Sequence, residues 1–146
     1  MTLSSFATTC RSNLLTNRTV THTGTTLQKI LVVDDSATER FFFAELLGKN
    51  GYDVVTAENG EEAVTKAKSE QPDLILMDVV MPGQNGFQVT RTISRDPGTA
   101  HIPIIICTSK SQETDRYWGM KQGAKDYVVK PVDPKDLLTK IRACAV

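Results

Sequence analysis

The sequence has 146 residues, of which 40% are hydrophobic and 23% charged, as expected for one globular domain. Seventeen basic residues balance seventeen acidic ones, so no overall positive field attracts nucleic acid, and we expect neither nucleic-acid binding nor membrane insertion. The three cysteines, Cys10, Cys107 and Cys144, fit neither a disulfide framework nor a paired zinc motif, which predicts a reducing, cytoplasmic setting.

The first 28 residues differ in composition from the rest. They contain nine threonines, three serines and no acidic residue, and such a segment can bury little apolar surface. We therefore predict a flexible Ser/Thr-rich extension over 1–28 and a folded domain over 29–146. A serine-rich start with Arg11 and Arg18 is also typical of an organellar targeting segment, whereas "LSSFATTC" is too polar for a secretory signal.

From Lys29 onward, short apolar runs alternate with longer amphipathic segments, which is the pattern of βα units. Ser36 is a candidate N-cap for the first helix, and Asn50-Gly51 is a candidate stop signal. The predicted strands are KILVV, DVVTA, DLILM, PIIIC and DYVVK, and the predicted helices span 37–49, 61–70, 87–95, 113–122 and 134–143.

Several aromatic residues fall within these helices. Phe41, Phe42 and Phe43 are consecutive and exceed what one helix face can bury, so we expect two of them in the core and the third lightly exposed or at a partner contact. For Trp118 we expect packing within the fold, with a role at an interface as the alternative.

Five βα units with short connections predict one α/β domain with an open, doubly wound, five-stranded parallel sheet. The flavodoxin-like strand order 2-1-3-4-5, with five helices, suits this length. In such sheets ligands bind at the carboxyl ends of the strands, where the strand order reverses. The residues that follow the strands are therefore the candidate site.

Chemically active residues follow four of the five predicted strands. Asp34 and Asp35 come after the first strand, Asp78 after the third, Thr108 after the fourth and Lys130 after the fifth. Each has a structural explanation on its own, as a helix cap, a strand-end residue or a solvated lysine. Their convergence on one edge of the sheet favours a functional site.

The charges at this edge need compensation. Two carboxylates about 4 Å apart repel by roughly 4 kcal/mol at the effective dielectric of a protein surface, and Lys130 offsets only one charge. An all-oxygen ligand set favours a hard cation such as Mg²⁺. We therefore expect Asp34 and Asp35 to hold Mg²⁺ and Asp78 to attack phosphorus, while Lys130 and Thr108 stabilise the transferring phosphoryl group.

Four segments, "KILVVDDS", "LILMDVVMPGQNGFQ", "IIICTSK" and "GAKDYVVKPV", resemble the receiver domain of bacterial two-component response regulators across 29–146. The resemblance implies that Asp78 accepts a phosphoryl group from a histidine kinase. It also implies a Mg²⁺ site formed by Asp34, Asp35 and Asp78 with the backbone carbonyl of Val80.

The same resemblance assigns the switch that follows phosphorylation. Thr108 is implied as the switch hydroxyl, Tyr127 as the switch aromatic and Lys130 as the lysine of the site, with a cis bond before Pro131. Such a protein is a phosphoacceptor that catalyses its own phosphorylation and dephosphorylation, and it is not otherwise an enzyme. Because the sequence stops near the fifth helix, we expect a stand-alone regulator that contacts an effector protein through helix 4, strand 5 and helix 5.

A finer likeness lies in "MPGQNGFQ", "SQETDRYWGMKQGAKDY" and "KPVD", which resemble PilH-type regulators of type IV pilus twitching motility. This likeness implies a chemotaxis-type kinase as partner. A phosphate-sink receiver, a regulator outside pilus control, a scaffold that is never phosphorylated and a Mg²⁺-dependent phosphatase-like enzyme remain as alternatives. Against the enzyme, no GxxxxGK[ST] or GxGxxG follows the first strand, and Val80 stands where a second acidic residue would serve as acid.

Overall fold

Five parallel strands form the central sheet in the computed structural model, which describes residues 29–81, 84–108 and 113–144. In chain order the strands are β1 (Lys29–Val33), β2 (Asp53–Ala57), β3 (Leu74–Asp78), β4 (Ile104–Thr108) and β5 (Asp126–Val129). The helices are α1 (Ala37–Lys49), α2 (Gly60–Glu70), α3 (Gly86–Arg95), α4 (Glu113–Lys121) and α5 (Pro134–Cys144). The predicted extension over 1–28 lies outside the described residues.

The strand order β2-β1-β3-β4-β5 confirms the predicted flavodoxin-like sheet. The side chains of β1, β3 and β4 are almost entirely buried, because these inner strands have a paired strand on each side and helices on both faces. The outer strands β2 and β5 are only partly buried. Asp78 and Thr108, expected just after their strands, are the last residues of β3 and β4.

Alternate residues of the strands separate the apolar core into two layers. One face of the sheet, with Ile30, Val32 and Leu76, packs against Phe43 of α1 and Leu137 of α5. The opposite face packs against α2 and α3. Because the strands are parallel, their carboxyl ends lie at one edge of the sheet, where α1 and α3 begin.

The ends of α1 are set by the residues that the sequence indicates. Ser36 Oγ accepts a hydrogen bond from the Glu39 N–H at 3.3 Å, which confirms the N-cap. At the other end, Asn50 is the C-cap, and Gly51 has φ +90°, in the left-handed region that glycine adopts without strain.

Two expectations about aromatic side chains are wrong. Phe43 alone of the three consecutive phenylalanines is in the core, at 1% exposure, whereas Phe41 and Phe42 are 68% and 40% exposed. Three successive helical positions span about 200° of the helix, so only one of these side chains points directly at the sheet. Trp118 is 50% exposed; its ring meets Tyr117 edge-on, with 6.3 Å between ring centroids, instead of packing into the fold.

Between β3 and α3 the chain forms a short antiparallel pair, in which Val80–Met81 pairs with Gln84–Asn85. Within the described parts of the chain, no helix has the length and apolar character needed to cross a membrane.

Replacing Phe43 by alanine should lower the free energy of unfolding by about 3–5 kcal/mol, because a fully buried aromatic ring leaves a cavity. Phe41→Ala, two positions earlier on the same helix, is the matched control and should change it by no more than about 0.5 kcal/mol. Urea unfolding followed by circular dichroism measures both. Equal losses in the two variants would contradict the assignment of Phe43 to the core.

Candidate functional site

The parallel register of the sheet brings two acidic residues side by side. Val33 of β1 lies opposite Met77 of β3, so the residues that follow, Asp34 and Asp78, sit at the same level of neighbouring strands. The backbone N–H of Asp34 donates to the Ala57 carbonyl at 3.1 Å, which extends the sheet by one residue. Asp34 and Asp78 are buried.

Asp35 completes a cluster of three carboxylates. It is exposed, and one oxygen from each of Asp34, Asp35 and Asp78 lies within 4.8 Å of the others. The predicted meeting of these side chains is therefore confirmed in the structure. Their roles in metal binding and phosphoryl transfer remain proposals.

Lys130 directly follows β5, an outer strand of the sheet, and its side chain reaches the cluster of acids. Its backbone N–H donates to the Thr108 carbonyl at 2.7 Å, which fixes the residue beyond the end of β5. Its ammonium nitrogen Nζ lies 2.9 Å from Asp34 Oδ2 and 3.2 Å from Asp78 Oδ1. The peptide bond between Lys130 and Pro131 is cis, as the resemblance implied.

Asp34 is held by the start of α1 as well as by Lys130. The Ser36 N–H donates to Asp34 Oδ1 at 3.0 Å, and Arg40 Nη1 donates to the Asp34 carbonyl oxygen at 2.8 Å. Both oxygens of the Asp34 carboxylate thus have protein donors. Sequence reasoning did not identify Arg40; the available signal was its position in the first turns of the helix that follows the two acids.

Folding raises the pKa values of both Asp78 and Lys130, for different reasons. Burial raises the pKa of Asp78, and the charges of Asp34 and Asp35 raise it further, while Lys130 acts in the opposite direction. Burial alone would lower the pKa of Lys130, but its hydrogen bond to Asp34 and the charges of Asp78 and Asp34 outweigh burial, so its pKa is raised. Lys130 therefore remains a cation. The ionised form of Asp78 is less favourable in the folded protein than it is for an exposed aspartate.

Gly86, the first residue of α3, lies against the backbone of the site. Its N–H donates to the Val79 carbonyl at 2.8 Å, and a Cβ at this position would collide with the Asp78 carbonyl oxygen. A side chain is therefore excluded there. The sequence signal was the Asn85-Gly86 pair, in which the Asn85 side chain caps α3 by accepting from the Phe87 N–H at 2.8 Å.

The other predicted residues lie around the cluster. Thr108 is buried at the end of β4, one residue beyond Cys107, whose carbonyl accepts the Val79 N–H at 3.3 Å. Tyr127 is partly buried in β5, at the border of the core layer that faces α2 and α3. Val80 belongs to the short antiparallel pair after β3. The roles of Thr108, Tyr127 and the Val80 carbonyl remain predictions.

The donor set suits a hard divalent cation. The cluster holds three carboxylates, and the Lys130 ammonium group pairs with two of them, Asp34 and Asp78. One positive charge against three negative ones leaves two negative charges, and every side-chain donor of the cluster is an oxygen. Oxygen ligands of this kind are those that Mg²⁺ prefers. Cys107 adds no soft ligand, because burial raises the pKa of its thiol to about 12 and its side chain belongs to the core.

A family model described as the response regulator receiver domain matches residues 30–142. With this sheet and this cluster of acids, the chain belongs to the response regulator receiver family. It is 52% identical over 117 residues to protein PilH of Pseudomonas aeruginosa, a match that covers 80% of this chain and 97% of PilH.

Further relatives agree with this assignment. The phosphate regulon transcriptional regulatory protein PhoB of Escherichia coli is 39% identical over 116 residues, covering 80% of this chain but only 51% of PhoB. Among solved structures, chemotaxis protein CheY4 of Vibrio cholerae superimposes with a TM-score of 0.77 at 32% identity. That match covers 82% of this chain and 99% of CheY4.

Replacing Asp78 by asparagine should stabilise the metal-free protein at neutral pH, because the pKa of Asp78 is raised by folding. A carboxyl with a raised pKa stabilises the fold most below its unfolded pKa of about 4, and this contribution is lost as the pH rises through the folded pKa. The gain in Asp78→Asn should therefore grow from acidic to neutral pH. Thermal unfolding in chelator across this range measures it, and a variant less stable than wild type at neutral pH would contradict the sign.

Proposed function

We propose that this chain is a phosphoacceptor switch of a two-component phosphorelay and that Asp78 receives the phosphoryl group from a histidine kinase. The observation that supports this most directly is the position of the Lys130 ammonium group, 2.9 Å from Asp34 and 3.2 Å from Asp78. A cation placed between a candidate metal ligand and a candidate nucleophile can stabilise the negative charge of a phosphoryl group during its transfer.

In this proposal Mg²⁺ is held by Asp34, Asp35 and Asp78 together with the backbone carbonyl of Val80. When bound, Mg²⁺ supplies positive charge to the phosphoryl oxygens and lowers the repulsion between them and the acids. The three carboxylates are already gathered within 4.8 Å of one another, so little rearrangement of these side chains is needed.

The chain's own residues perform the transfer. An Asp78 carboxylate oxygen attacks the phosphorus atom, the bond from phosphorus to the histidine nitrogen of the donor breaks, and that nitrogen keeps the bonding electron pair. Lys130 donates to the phosphoryl oxygens, and the Thr108 hydroxyl donates to them from the end of β4. The same groups would assist hydrolysis of the aspartyl-phosphate, so the protein catalyses its own phosphorylation and dephosphorylation.

The output of the switch is a protein contact. Phosphorylation adds about two negative charges, and we propose that Thr108 and Tyr127 transmit this change to the face formed by α4, β5 and α5. Trp118 and Tyr117 are exposed on α4, where an effector protein can contact them. Aromatic side chains of this kind are enriched in protein interfaces.

The similarity to PilH supports a place in a chemotaxis-like system that controls type IV pilus twitching motility. The match at 52% identity spans nearly all of PilH. We accordingly propose a chemotaxis-type histidine kinase as the phosphodonor. A receiver that drains phosphoryl groups from another regulator uses the same site chemistry, and phosphotransfer profiling against candidate kinases with sibling regulators present separates the two.

Asp35→Asn should weaken Mg²⁺ binding at least tenfold, because it removes one of three carboxylate charges from a site that binds a hard cation by charge and oxygen donors. Isothermal titration calorimetry at neutral pH measures the dissociation constant. Asp53→Asn, at the exposed start of β2, removes the same charge elsewhere and should leave binding unchanged. Equal affinities in all three proteins would exclude Asp35 as a ligand.

Incubation with acetyl phosphate and Mg²⁺ should add the mass of one phosphoryl group to the intact protein, as measured by mass spectrometry. Asp78→Asn should abolish the addition, and chelation of Mg²⁺ should reduce it strongly. Continuous release of inorganic phosphate from other phosphate esters would instead favour the phosphatase-like enzyme. Absence of any mass change in the wild-type protein would favour the unphosphorylated scaffold.

A further inference from the structure

A further carboxylate approaches Lys130 from outside the cluster of three acids. Glu39 lies in the first turn of α1, and its Oε1 atom is 3.4 Å from Lys130 Nζ. The backbone of Glu39 is fixed, because its N–H donates to Ser36 Oγ at 3.3 Å. Lys130 is therefore shared among three carboxylates: Asp34, Asp78 and Glu39.

These carboxylates differ in how easily they can release the ammonium group. The side chains of Asp34 and Asp78 are 3% and 10% exposed, and that of Glu39 is 39% exposed. Asp34 is also held by the Ser36 N–H, whereas Glu39 forms no other ion pair with any residue the structure describes. Water can replace Lys130 around Glu39 at little cost.

The space beside this ion pair is open. Glu39 and Lys130 border a cavity of about 500 Å³ whose other walls are Phe42, Pro131 and Val132. This cavity offers the partly exposed Glu39 side chain space away from Lys130. Glu39 is thus the acceptor that can leave Lys130 when another anion arrives at Asp78.

We propose that Glu39 is a positioning residue that holds the Lys130 ammonium group toward α1 in the unphosphorylated protein and competes with the phosphoryl group for it. This inference rests on the proposed phosphorylation of Asp78. The added phosphoryl group carries about two negative charges, so Glu39 opposes phosphorylation in two ways, by retaining Lys130 and by repelling the new charge. Removing the Glu39 charge should therefore speed phosphorylation.

A purely structural role gives a different expectation. An acidic residue in the first turn of a helix stabilises that helix through its dipole. If this were the whole function of Glu39, its neutralisation would lower stability and leave the phosphorylation rate and the environment of Lys130 unchanged. The phosphorylation rate and the nuclear magnetic resonance signal of the Lys130 ammonium group together distinguish the two roles.

The test compares Glu39→Gln with wild type and with Glu45→Gln, an exposed site on the same helix that lies about 9 Å further along its axis. With acetyl phosphate and Mg²⁺ at low ionic strength, Glu39→Gln should be phosphorylated about two- to fivefold faster than wild type. The difference should shrink as salt is added, because the side chain of Glu39 is partly exposed. Glu45→Gln should match the wild-type rate.

Nuclear magnetic resonance of ¹⁵N-labelled lysine side chains in the metal-free protein gives a second measurement. The Lys130 ammonium signal should shift in Glu39→Gln and stay in place in Glu45→Gln. A rate in Glu39→Gln equal to or below that of wild type overturns the inference, as does an equal rise in both variants, which would assign the effect to net charge. A wild-type protein that is never phosphorylated overturns the proposed function itself, and the inference with it.

Discussion

Repulsion among acidic side chains at the carboxyl edge of the sheet is the constraint around which the site is arranged. Asp34, Asp35 and Asp78 lie close enough to share one ion, and Lys130 bridges two of them. Burial raises the pKa of Asp78, and the charges of Asp34 and Asp35 add to this rise against the opposing effect of Lys130. A fold selected for stability alone would not gather these charges, since buried like charges destabilise the folded state.

The parallel sheet fixes the backbone positions of the charged residues. Backbone hydrogen bonds join Asp34 to β2, Val79 to β4 and Lys130 to the end of β4, so each charged side chain starts from a residue fixed by its neighbours. The start of α1 adds a second anchor through Ser36 and Arg40. Charged groups held on strand ends need little reorganisation when charge develops between them, which is the condition for electrostatic catalysis.

Much of this could be predicted from the sequence, because strand ends in a parallel sheet share one edge and the apolar runs locate the strands. Asp34, Asp78 and Lys130 were found in this way. Glu39 and Arg40 were missed, since the direction of a long side chain in the first turn of a helix depends on its neighbours in space. The exposure of Phe42 and Trp118 was missed for a related reason: composition predicts that aromatic rings are buried, but the facing helix surface decides which of them are.

A Cβ at position 86 would collide with the Asp78 carbonyl oxygen, so the start of α3 lies directly against the end of β3. Any displacement of the backbone at Asp78 must push the first turn of α3 or break the hydrogen bond from Gly86 to Val79. The end of β3 and the start of α3 are therefore held at a fixed spacing that depends on glycine at position 86.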